Sequence, residues 1–208
     1  IVNNRYIFVI IDDFSRYLWS ILMKEKSDAF IRFKAFKELV EKDLDTRIMT
    51  LRTDRGGEFT SSEFHDFCDN NGIKRHLTAP YTRQQNGVVE IRNMTLMEMT
   101  RSTLKAMKVP NYLWDEAVRH STYIINRVPT RALKNMTPYE SLRMKKPSLN
   151  HIRVFGCLAY AKVGSAMVKK LDDRSLVLVH LGTEPGSNAY RLYNPDTRRI
   201  VCLLYTSP

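Results

Sequence analysis

Ile48-Met49-Thr50-Leu51-Arg52-Thr53-Asp54-Arg55-Gly56-Gly57-Glu58-Phe59 is the stretch on which the reading of this chain turns. An apolar run gives way to a glycine pair, so the sequence predicts a strand that ends beside a tight turn with Asp54 at its tip. Thirty-five residues separate Asp54 from Glu90, which closes Gln84-Gln85-Asn86-Gly87-Val88-Val89-Glu90 and opens a long helical pattern. Singly, Asp54 reads as a turn residue before glycine, and Glu90 as a first-turn acid favoured by the helix dipole. Together they suggest a two-metal phosphoryl-transfer site. Two hard cations about 3.5–4 Å apart across a phosphodiester need carboxylates from rigid elements, which a strand end and a helix start supply.

Upstream, residues 6–24 read as two strands, one ending at Asp12-Asp13 and one following a Ser-Arg turn. Asp12 and Asp13 read as acids at a strand terminus that pair with Arg16 or a neighbouring turn. Ser27 is placed to cap a helix whose Phe30, Phe33, Phe36, Leu39 and Val40 face the sheet. Thr60-Ser61-Ser62-Glu63 resembles a capping box before a short helix with Phe64, Phe67 and Cys68 inward and Gly72 at its end. Residues 73–77 form another short strand, and 78–87 a polar loop. From 88 to about 107 the pattern is helical, with Glu90, Asn93, Met97 and Arg101 along one face. Met94, Met97, Met99 and Met107 read as core filling rather than ligands.

Pro110-Asn111 starts a further helix whose stripe of Leu113, Trp114, Ala117, Val118 and Ile124-Ile125 suits either a core or a dimer face. Thr137-Pro138-Tyr139-Glu140 has a capping Thr, Pro at the first helical position and Glu at the third. After Lys145-Lys146-Pro147 the chain turns strand-like, over 153–163, 175–181 and 189–204. The expected architecture is α/β over residues 1–146, followed by a small β-rich module over 147–208.

At 208 residues and 43% hydrophobic content the chain is long enough for one substantial core. It has no apolar run of membrane-spanning length and no signal-like start, so a soluble intracellular protein without a membrane partner is expected. Cys68, Cys157 and Cys202 are odd in number and widely spaced, and the five histidines are scattered, so buried free thiols and no zinc are expected. Residues 1–80 carry 13 basic and 13 acidic residues, 81–150 carry 12 and 5, and 151–208 carry 8 and 4. The whole basic surplus therefore lies downstream of residue 80. A polyanion partner accounts for this asymmetry, and so does plain solubility.

Thr53-Asp54-x-Gly-Gly-Glu58-Phe59, then Ala79-Pro80-Tyr81-Thr82-x-Gln84-Gln85-Asn86-Gly87-Val88-x-Glu90-x-x-Asn93, resembles the integrase core of copia-type LTR retrotransposons. The likeness continues through Ile11-Asp12-Asp13-Phe14-Ser15-Arg16-Tyr17, Tyr123-Ile124-Ile125-Asn126-Arg127-x-Pro129-Thr130, Met136-Thr137-Pro138-Tyr139-Glu140 and Arg153-Val154-Phe155-Gly156-Cys157. It extends to Tyr190-Arg191-Leu192-Tyr193-Asn194-Pro195 and covers nearly the whole chain.

The resemblance implies an RNase H-like mixed sheet flanked by helices, with an Asp, Asp, Glu triad that processes the ends of element DNA and joins them to target DNA. Asp54 matches the second acid and Glu90 the third, both as ligands of Mg²⁺ or Mn²⁺, two ions in an intact site. Gln84, Asn86, Asn93 and Arg101 would position DNA. In the β module Lys169 and Lys170, with Lys162 and Arg174, would form a basic edge against DNA, and serve equally well as a solvated loop. The family's first acid lies on a strand ahead of residues 6–11, in a segment this chain does not contain, which with the opening Ile1 fits a polyprotein fragment. An intact integrase implies homo-oligomers and a nuclear location. The alternatives are a non-catalytic nucleic-acid-binding remnant and an RNase H-like nuclease. The chain departs from the family pattern at Arg55, where Asn is usual, Arg83, where Pro is usual, and Ile91, where a basic residue is usual. From about residue 202 it also leaves the expected continuation, which points to a foreign or frame-shifted tail.

Overall fold

The computed structural model describes residues 4–54, 56–77, 87–162, 173–187 and 189–204. The chain divides into two compact units: one takes Asn3–Ile10 and Ser20–Met94, the other Ile1–Val2, Ile11–Trp19 and Thr95–Pro208.

The first unit is built on strands β1 (Tyr6–Ile11) and β2 (Leu18–Met23), which pair, and β3 (Thr50–Thr53) and β4 (Lys74–Leu77), which pair in parallel. Register runs from Thr50 opposite Lys74 to Thr53 opposite Leu77. Parallel pairing needs a crossover, and helix α2 (Ser62–Asn70) provides it. Helix α1 (Ala29–Leu44) covers the same core. Phe64 is its centre, fully buried, with ring centroids 5.2 Å from Phe30, 5.7 Å from Phe33 and 5.4 Å from Phe59. Offset and edge-on contacts of this kind add to the area each ring buries.

The helix starts follow local chemistry. Ser61 accepts the Phe64 N–H at 3.2 Å and opens α2, and Gly72, at φ +66, takes the chain out of it. Ser27 does not cap α1. Glu25 and Asp28 exchange side-chain bonds with each other's backbone around a 3-10 turn, Lys26–Asp28, and α1 begins after it. The Ser27 hydroxyl instead donates to Glu25 at 3.2 Å. Two residues placed in the core by periodicity are outside it: Leu39 is 71% exposed and Met94 56% exposed. Leu39 lies toward the end of α1, where Phe30, Phe33 and Phe36 already fill the face against the sheet. Met107 is also partly exposed, just past the end of its helix.

In the second unit the hairpin turn is held as read from the sequence. Asp12 accepts both the Ser15 N–H at 2.7 Å and its hydroxyl at 2.6 Å, while Asp13 pairs with Arg16 at 2.6 Å. Helix α3 (Gly87–Ala106) enters this unit at Thr95; α4 (Trp114–Ile125), α5 (Pro138–Arg143) and an antiparallel sheet β5-β6-β7-β8 complete it. The strands are β5 (Leu158–Lys162), β6 (Ser175–Thr183), β7 (Ala189–Asn194) and β8 (Arg199–Leu204). Cys202, Leu203 and Leu204 pair with Arg191, Tyr190 and Ala189, so β8 runs on through the start of the divergent tail. Cys202 is exposed rather than buried, and all three cysteines are free. α5 has the full capping box of Thr137 and Glu140 with Pro138 at its start.

The stripe on α4 is core. Leu113 and Ala117 pack with Leu104, Val109, Phe155, Leu181 and Tyr193, joining helices to the sheet. Gly156, at φ +83, lies where a Cβ would come 2.6 Å from the Met107 Cβ, so only glycine fits there. Asn126 acts as a stand-in strand: its Oδ1 accepts the Leu18 N–H at 2.8 Å and its Nδ2 donates to the Leu18 carbonyl at 2.7 Å. Asn126 is 2% exposed and Leu18 fully buried. Asn126→Ala strands both backbone groups, and unfolding in urea is expected to show a loss of roughly 3 kcal/mol.

In three histidines of this unit the charged form is disfavoured. Burial and then the neighbouring His180 bring His120 down to about 4, and burial also lowers His180 and His151. A folded-state value below the unfolded one stabilises above the unfolded value and is lost as pH falls toward the folded one. The melting temperature should therefore drop between about pH 6.5 and pH 4, and His120→Phe should flatten that drop. A melting temperature equal at both ends of that window would contradict this.

Candidate metal and nucleic-acid site

Asp54 stands where β3 ends, exposed, and its Oδ1 accepts the Gly56 N–H at 3.0 Å. This is the side-chain turn that Asp forms before glycine; Oδ2 has no hydrogen-bond partner among the described residues. A 3-10 turn, Gly57–Phe59, follows. Phe59 anchors it in the core at 8% exposure, and Arg75 of β4 donates to the Phe59 carbonyl while stacking 4.9 Å from the Phe64 ring centroid. The acid is thus set by a strand end, a buried aromatic and a cation bridging from the paired strand.

Glu58 was not singled out by sequence reasoning. Its carboxyl carbon lies 2.9 Å from where a Gly56 Cβ would stand, so it folds back over the turn that Asp54 caps. Two acids in the quoted stretch therefore touch Gly56, one through its N–H and one across its open side. No sequence signal marks this contact, because the end of a flexible Glu side chain can lie elsewhere at little cost.

Glu90 lies in the first turn of α3 and is exposed; Asn93 and Arg101 are exposed on the same helix. Spacings of three, seven and eleven from residue 90 put Asn93, Met97 and Arg101 along one face. Asp54 and Glu90 belong to the same compact unit. Gln84, Asn86, Lys169 and Lys170, with the loop expected at 78–87 and the departures at Arg55 and Arg83, lie outside the described residues, except that Gly87 begins α3. Ile91, the third departure, is 61% exposed.

The donors fit a divalent cation in kind, because exposed carboxylate oxygens on structured elements suit hard ions. In number they fall short: among the described residues no three of His, Cys, Asp and Glu come together as a metal site. No helix among them is long and apolar enough to cross a membrane.

Residues 2–83 match the family model for the integrase core domain, and 157–203 that for the retroviral polymerase SH3-like domain. The Pol polyprotein from transposon TNT 1-94 of Nicotiana tabacum is 39% identical over 199 residues, 96% of this chain and 15% of that protein. Those from transposons RE2 and RE1 of Arabidopsis thaliana are 34% and 33% identical, over 99% and 95% of this chain. The chain spans 13% to 15% of the length of these relatives. Among solved structures, the HTLV-2 integrase catalytic core domain in complex with magnesium, in its trimeric form, superposes with TM-score 0.51 at 22% identity, over 65% of this chain and 83% of that one. The simian T-cell lymphotropic virus intasome in complex with PP2A regulatory subunit B56 gamma gives 0.55 at 19% identity, over 94% and 68%. At such identities these two establish the fold, the RNase H-like one of integrase catalytic cores, while the sequence matches over nearly all of this chain carry the kinship. The chain belongs to the copia-type integrase family of LTR retrotransposons.

Proposed function

We propose that this chain supplies part of a retrotransposon integrase whose reaction is metal-dependent polynucleotidyl transfer, the processing of element 3′ ends and their joining to target DNA. The observation that carries the reading is Asp54: exposed at a strand end, one carboxylate oxygen fixed by the Gly56 N–H and the other without a hydrogen-bond partner among the described residues. Residues 1–146 are the catalytic core and 147–208 a β-rich module in this reading, and the two family matches fall on either side of that line.

Asp54 and Glu90 would hold Mg²⁺ or Mn²⁺ together with the family's first acid. A bound ion of this kind polarises the phosphoryl oxygen and makes water or a 3′-hydroxyl more nucleophilic. The chain's own part is positioning. Asn93 and Arg101 share the Glu90 face of α3 and would contact the backbone near the reacting phosphate; Gln84 and Asn86 would orient the DNA end. Lys169 and Lys170 would add phosphate contacts, strongest at low salt. DNA ends and target DNA are the partners, in a homo-oligomer acting in the nucleus.

The basic surplus downstream of residue 80 also suits a second reading, a remnant that binds nucleic acid without catalysis. One experiment separates them. A form that also carries the first acid is incubated with Mg²⁺ or Mn²⁺ and element-end DNA, and joined products are resolved from hydrolysed ones. Joining is expected. Hydrolysis alone would make the chain a nuclease of the same fold, and salt-sensitive binding without either product would make it the remnant.

A further inference from the structure

Arg127, two residues past the end of α4, is stacked between two aromatic rings. Its guanidinium carbon is 3.4 Å from the Tyr123 ring centroid and 4.6 Å from that of Tyr139. Nη1 donates to the Tyr123 carbonyl at 3.1 Å, and Nε is buried with no hydrogen-bond partner among the described residues. Among those residues no carboxylate pairs with Arg127. Stacking satisfies the faces of a guanidinium but leaves the N–H groups along its edge unspent, and a desolvated donor of this kind is costly unless an acceptor reaches it.

The surroundings favour an anion. Burial raises the Tyr17 hydroxyl, with Arg127 and Arg143 as the charges acting against that shift. Burial lowers His151, reinforced by Arg127 and Arg153. The rings are also held in place: the Tyr123 hydroxyl meets His151 Nε2 at 2.5 Å, and the Tyr139 N–H donates to the Asn126 carbonyl at 2.8 Å. A clamped, always charged fork with one N–H left unpaired has the chemistry that suits phosphate oxygens.

We propose that Arg127, clamped between Tyr123 and Tyr139, is a phosphate-binding residue whose guanidinium takes a phosphate oxygen. The source is a nucleic-acid backbone, and for that source alone the inference rests on the proposed function. It is independent of Asp54, Glu90 and any metal.

The test follows the Nε–H resonance of Arg127 by proton–nitrogen NMR in the intact chain without divalent ions, assigned through its contacts to the Tyr123 ring. Inorganic phosphate and a short DNA duplex are titrated separately at constant ionic strength, with a poly-glutamate peptide as a third arm. Both phosphate sources should move the resonance, duplex at far lower concentration. Arg127→Gln should weaken duplex binding about tenfold and reduce the salt slope by about one, whereas Arg127→Lys should weaken it with the slope kept. Because no metal is present, failure of the catalytic reading leaves this result untouched. An unmoved resonance in the wild-type chain with phosphate and duplex overturns the proposal, whatever the variants do. A response to poly-glutamate alone overturns it in favour of an acidic protein segment, and a response to phosphate alone removes nucleic acid as the source.

Discussion

Arg191→Met is expected to cost the unit containing α4 and the sheet about 3–5 kcal/mol, the range for removing one partner of a buried ion pair. Arg191 on β7 grips Glu116 on α4 with two parallel bonds, Nε to Oε2 at 2.7 Å and Nη2 to Oε1 at 2.8 Å, and reaches Glu184 through Nη1. The Glu116 side chain is 5% exposed and that of Arg191 18%, so water cannot replace the lost partner. Hydrogen bonds donated to Glu116 hold the Arg191 guanidinium above its ordinary range. Glu116→Gln alone should cost less, because Arg191 keeps Glu184. Combining both changes should recover part of the loss, since no uncompensated charge then stays buried. Urea unfolding followed by fluorescence of Trp114, which packs in the adjoining core, measures each corner of the cycle. A single Arg191→Met change within about 1 kcal/mol of wild type would show that the bridge is ornamental.

That bridge marks the limit of what the sequence discloses. Local rules gave Thr137 and Asp12 their roles because cap and turn chemistry depends on neighbours within three or four residues, whereas the box read over Thr60 to Glu63 is a simple cap one residue on, at Ser61. Ser27 failed by the same logic: Glu25 and Asp28 compete for the same backbone groups and win with charged acceptors. Glu116 and Arg191 are 75 residues apart and Leu18 and Asn126 are 108 apart, and nothing in either neighbourhood encodes the meeting. Periodicity likewise marked the α1 face but not where it ends, which is why Leu39 was placed inside. At the candidate site the sequence supplied the two acids and their elements. It did not supply Glu58 folded over Gly56, because that contact depends on the turn's backbone path.

Asp54→Asn tests the catalytic reading most sharply, because it removes a charge and almost nothing else. Asn keeps an Oδ1 that can accept the Gly56 N–H, so the turn after β3 should persist. The residue is exposed, and exposed substitutions away from structural features stay within about 0.5 kcal/mol in stability. A neutral amide, however, is a poor ligand for a hard dication. Losing about 4 kcal/mol of transition-state charge stabilisation corresponds to about 10³-fold in rate. In a form that carries the family's first acid, end joining by Asp54→Asn should therefore fall by at least that factor, and Glu90→Gln should match it. DNA affinity measured without metal should hold or rise, since a negative charge near phosphates has gone. The thermal melt should not move. Joining that survives within about tenfold would remove Asp54 from the metal site, and a collapse of both fold and DNA binding would reduce it to the turn residue that its sequence neighbourhood alone describes.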